Sequence, residues 1–144
     1  MSTKEIQDKI VENMAVWQRV EDASMASTSK AFAATTNPAI RAVMEIIQRD
    51  SLMHHRIQQL IVDSLRETIS LSTDDLMEVW DIIEEHNKIE KKTIELANSS
   101  IDAIKGKGMV LQEYLLEYLL TDEKKHELLL DRLEGIKKGM YPGG

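Results

Sequence analysis

Residues 115–133, LLEYLLTDEKKHELLLDRL, decide the fold: they read as an apolar helix broken at mid-height by Asp122-Glu123-Lys124-Lys125-His126. Counted from His126, apolar residues recur at Leu115, Leu119, Leu129 or Leu130, Leu133 and Ile136, the spacing of one buried stripe on a helix. His126 therefore points inward. Glu123, three residues earlier, shares that face, so a carboxylate and an imidazole project together toward the core. An unpartnered carboxylate in an apolar interior costs several kcal/mol or takes up a proton. A divalent cation would be a suitable partner.

Outward from this stretch, the same pattern fills the chain. Residues 4–32 carry Ile6, Ile10, Met14, Trp17, Met25 and Phe32 in one stripe, with Glu21 in register among them. Thr35-Thr36-Asn37-Pro38 ends that helix, with Asn37 as N-cap of the next and Pro38 at its first position. The second helix, residues 38–65, sets His54 in line with Val43, Ile47, Ile57, Ile61 and Leu65, and Asp50 and Ser51 lie one turn before it. Ser72 and Asp75 match a capping box with Asp in place of Glu. The third helix, residues 74–104, brings His86 and Glu90 into the stripe of Val79, Ile83, Ile94, Ala97, Ile101 and Ile104. Gly106-Lys107-Gly108 makes the turn into the fourth helix, which runs to about residue 138 with residues 139–144 as a frayed tail. Four long helices, short connections and no strand signal predict an all-α, four-helix bundle made of two helical hairpins.

Composition narrows the function. At 144 residues the chain is expected to form one domain, 1–144, and with no cysteine it has neither disulfides nor thiolate metal sites. A net charge of −7 with scattered lysines argues against a nucleic-acid partner. No stretch is long and apolar enough for a membrane span, and the charged amphipathic N-terminus has no apolar signal core. A soluble, cytoplasmic protein is expected.

The two hairpins repeat. A shift of 72 superimposes Glu45, Asp50 and His54 on Glu117, Asp122 and His126, and a shift of 69 places Glu21 on Glu90. Glu21 and Glu90 each stand 16 residues before the turn of their hairpin, at Asn37 and Gly106. At about 1.5 Å per residue, the polar positions of all four helices fall at one level.

This pattern resembles the ferritin-like di-iron carboxylate proteins, the rubrerythrin branch most closely, over nearly the whole chain. The resemblance implies two metal ions, each hairpin giving one Glu and one E-x-x-H, with helices two and three parallel across a long crossover; a plain up-down-up-down arrangement is the alternative. It assigns Glu21, His54, Glu90, Glu123 and His126 as ligands and makes Asp50 and Asp122 supports for the histidines; from their places in this sequence, Asp50 and His86, the latter one turn before Glu90, are the candidates to make up a missing ligand. It departs at Ser51, which stands where a second bridging Glu belongs, and a serine hydroxyl is a poor ligand for such a cation. No C-x-x-C is present for an attached electron-transfer domain. The implied activity is oxidoreduction of peroxide or dioxygen by di-iron, or another divalent metal at a partly occupied site, fed by an external electron donor, with room for a homodimer. A non-enzymatic metal binder and a metal-free bundle serving as an interaction module are the alternatives.

Overall fold

The computed structural model describes residues 1–67 and 69–139. Among them are four helices and no strand: α1 (Thr3–Ala34), α2 (Pro38–Arg66), α3 (Thr73–Ile104) and α4 (Val110–Gly139). The chain is all-α, with the element set of a four-helix bundle. No helix among the described residues is long and apolar enough to cross a membrane. The tail expected at 139–144 lies, from residue 140 on, outside the described residues, and Gly139 closes α4.

The helix starts follow from local chemistry. Asn37 accepts hydrogen bonds from the backbone N–H groups of Ala39 and Ile40 with Pro38 beside it, and Ser72 and Asp75 exchange both bonds of a capping box. Ser2 and Glu5 form a second capping box at the start of α1. After α3 the chain turns through Gly106 (φ 71°) and Gly108 (φ 72°), left-handed conformations that a side chain would strain.

Two compact units divide the chain, Met1–Ser70 and Leu71–Gly144. In the first, Ser24 meets Ser51, while Gln18 nearer the N-terminus meets Gln59 further on. Partners thus advance along α1 as they retreat along α2, the ladder of an antiparallel hairpin. In the second, Thr93 meets Glu123 and the ammonium of Lys137 lies 4.0 Å from the centre of the Trp80 ring, so α3 and α4 are antiparallel too.

Many of the buried positions recur every seven residues, Met14, Glu21 and Thr28 on α1, Ser51 and Gln58 on α2, Glu90 and Ala97 on α3, with Val62, Leu76 and Trp80 the larger apolar members of the core. Most of these are small or polar, which lets paired helices approach closely. The apolar stripe is wider than this seam. Trp17 at 51 % and Ile57 at 42 % exposed flank it instead of filling it.

Candidate metal centre

The α3–α4 hairpin gathers the richer set of donors. Glu90 is only 5 % exposed, and its Oε2 is buried without a hydrogen-bond partner. Its Oε1 lies 2.8 Å from His86 Nε2, one turn back on α3, and 3.3 Å from His126 Nδ1 on α4. The same His126 Nδ1 is 3.7 Å from Glu123 Oε2. Glu90, Glu123 and His126 each offer a ligand atom within 4.8 Å of the others, the spread of a first coordination sphere. On the far side of the ring, Asp122 Oδ2 is 3.3 Å from His126 Nε2. A carboxylate beside Nε2 faces that nitrogen while Nδ1 is turned toward Glu90 and Glu123, the placement of the groups that support ligating histidines. Thr93 donates to Glu123 Oε2 at 3.0 Å.

Two carboxyl groups packed this closely shift each other's titration in opposite directions. Glu123 is pushed above the ordinary carboxylate range by its hydrogen bond with Glu90 and then by burial, while Glu90 is held below that range, chiefly by the same bond to Glu123. The signs have opposite consequences. The stability from Glu90 is present above the ordinary value of 4.5 and lost as pH falls through its lowered pKa. That from Glu123 is complete below 4.5 and lost as pH rises through its raised pKa. Metal-free protein is therefore expected to lose stability as pH climbs from 4.5 through the raised pKa of Glu123, which thermal melts in chelator across a pH series would register. Metal affinity should rise over the same interval, because the ion must displace the proton of Glu123.

The α1–α2 hairpin repeats the frame with fewer donors. Glu21 is 7 % exposed, and its Oε2 lacks a hydrogen bond and lies 3.5 Å from His54 Nδ1. Ser51, 5 % exposed, occupies the position equivalent to Glu123, and its hydroxyl is 2.8 Å from that of Ser24. Asp50 is exposed and makes no hydrogen bond or ion pair among the described residues, so the support that Asp122 gives His126 has no counterpart at His54. His55 instead approaches Asp22 at 3.6 Å.

Sequence reasoning missed the two hydroxyls. Ser24 and Thr93 are related by the same shift of 69 that relates Glu21 to Glu90, and each bonds the residue at the second-helix position, Ser51 or Glu123. The repeat itself was the signal that could have found them.

The chain matches no family model, no curated protein and no solved structure. What the site can do must come from its donors. Two carboxylates and imidazole nitrogen suit a hard to borderline divalent cation such as iron(II), manganese(II) or zinc(II). The orphaned Glu90 Oε2 is where such a cation would replace a missing hydrogen bond.

Proposed function

We propose that this chain is a metal-binding protein of ferritin-like type that holds iron through Glu90, Glu123 and His126 and serves as an oxidoreductase toward peroxide or dioxygen. The observation that carries the reading is Glu90: a buried carboxylate with an unsatisfied oxygen, in ligand range of a second carboxylate and of an imidazole that has Asp122 on its far side. Bound iron would supply the redox chemistry, with electrons from an external donor. The protein's own residues hold the ion, neutralise its charge and manage protons, for which Glu123 is suited because Glu90 and burial hold its pKa above the ordinary carboxylate range. A pocket of ≈ 420 Å³ lined by His86, Glu90, His126, Leu129 and Leu130 leaves space for a small oxidant beside the ligands.

The Ser24–Ser51 pair favours a second reading, a non-enzymatic metal binder, since it takes from α1–α2 the carboxylate a two-metal centre needs. One experiment separates the two. Protein purified anaerobically is loaded with ferrous iron, its metal content is measured, and peroxide is added with a reduced dye as electron donor. Iron-dependent peroxide consumption is expected. Iron uptake with no turnover would move the conclusion to the binder, and no iron uptake at all would overturn both.

A further inference from the structure

We propose that the α3–α4 hairpin binds one divalent transition-metal ion with four donors of its own, His86 joining Glu90, Glu123 and His126 as a second imidazole ligand. The inference rests on the metal-binding reading and deepens it by naming the donor set, the stoichiometry and the class of cation.

The geometry begins at Glu90. Two imidazole nitrogens from different helices converge on its Oε1, His86 Nε2 at 2.8 Å and His126 Nδ1 at 3.3 Å, while its buried Oε2 has no hydrogen bond. His86 lines the same pocket as Glu90 and His126. Its side chain is 53 % exposed, so the ring can turn from Glu90 toward an ion seated between the helices. Glu90 would then give the ion the electron pair it now spends on the His86 N–H.

Charge supports four donors over three. Two carboxylates cancel the charge of a divalent cation, and a second ligand that is neutral raises the coordination number without adding net charge to a buried site. Two nitrogens with two oxygens favour cobalt(II), iron(II) and zinc(II) over magnesium and calcium, which prefer all-oxygen shells.

The other hairpin is an internal control. The shift of 69 puts Trp17 where α3 has His86, and the shift of 72 puts Ser51 where α4 has Glu123. Only Glu21 and His54 remain as donors, and the Ser24–Ser51 hydrogen bond fills the carboxylate's place. Two donors hold an ion weakly. One tightly bound metal per chain follows.

Cobalt(II) is the probe, because its visible bands report the number and type of ligands. Full-length protein stripped with chelator should take up one cobalt per chain. His86→Ala should weaken binding by about 10-fold or more, since even partners outside the coordination sphere are worth that much, and should alter the visible bands. Added free imidazole should restore both band position and affinity, which loss of a purely structural contact would not allow. His54→Ala should leave the affinity of that cobalt within about 2-fold. One cobalt bound by His86→Ala with unchanged affinity and spectrum would overturn the role of His86 while leaving the metal-binding reading intact. An equal loss in His54→Ala would overturn the self-sufficiency of the hairpin. No cobalt bound by the unaltered protein would overturn the inference together with the reading beneath it.

Discussion

Replacing Glu123 with glutamine is expected to make the metal-free protein more stable at neutral pH while lowering its metal affinity by about 100-fold or more, the scale of losing a coordinating group outright. Both effects come from one contact. In the unaltered protein Glu123 sits against Glu90 and must keep a proton to do so comfortably, and that proton is lost as pH rises. A glutamine amide donates the same hydrogen bond at every pH and cannot acquire the second charge. The gain should be about 1 kcal/mol near neutrality, the net size of one secured hydrogen bond, visible as a rise of a few degrees in Tm. The stability gained should vanish near pH 4.5 and below, where the unaltered Glu123 is protonated anyway. Thr93 keeps a partner in the variant, because its hydroxyl can donate to the amide oxygen as it now does to Oε2. A variant less stable than the parent at neutral pH would show that Glu123 and Glu90 do not repel in the folded chain. Such a trade of stability for function is the usual mark of a built site.

The fold was largely legible because helices announce themselves by period and by caps. The spacing of Leu119, Leu129, Leu133 and Ile136 gave α4 as a helix but not as a buried stripe, since Leu119, Leu129 and Ile136 are exposed and no residue of α4 is fully buried, while Asn37-Pro38 and Ser72 to Asp75 gave the starts of α2 and α3 within a residue. The helical register also brought Glu21 to His54 and Glu90 to Glu123 and His126, because a ligand's angle on the helix follows directly from its residue number. What the register could not give was the width of the buried seam. Trp17 falls on the stripe by period yet is half exposed, while Thr28 and Ser51, which no hydrophobicity count selects, are buried because small side chains let two helices come close. The unequal fates of Asp50 and Asp122 were illegible for a related reason. Both precede a histidine by four residues, and only the packing around each decides whether the ring swings toward that carboxylate or, as His54 does, toward the buried Glu21.

The hydroxyl repeat turns Ser51 into the most informative position for engineering. Ser24 already stands at the place from which Thr93 donates to Glu123, so a carboxylate introduced at position 51 would find a hydrogen-bond donor waiting and Glu21 alongside. Ser51→Glu should therefore rebuild in α1–α2 the group of two carboxylates and one imidazole that α3–α4 has, and raise tightly bound metal from one per chain to two. The second site should be the weaker, since Trp17 replaces the extra imidazole and Asp50 does not orient His54. Without metal the change should cost about 1–3 kcal/mol, because position 51 is 5 % exposed and a second buried carboxyl must be desolvated beside Glu21. With saturating metal that loss should reverse, as binding to the folded state alone adds stability in proportion to the logarithm of ligand concentration over Kd. Titration followed by melts with and without metal reads both effects. A stoichiometry unchanged at one, with the variant destabilised whether or not metal is present, would mean that Glu21 and His54 do not form a metal half-site and that the repeat preserves their positions for packing alone.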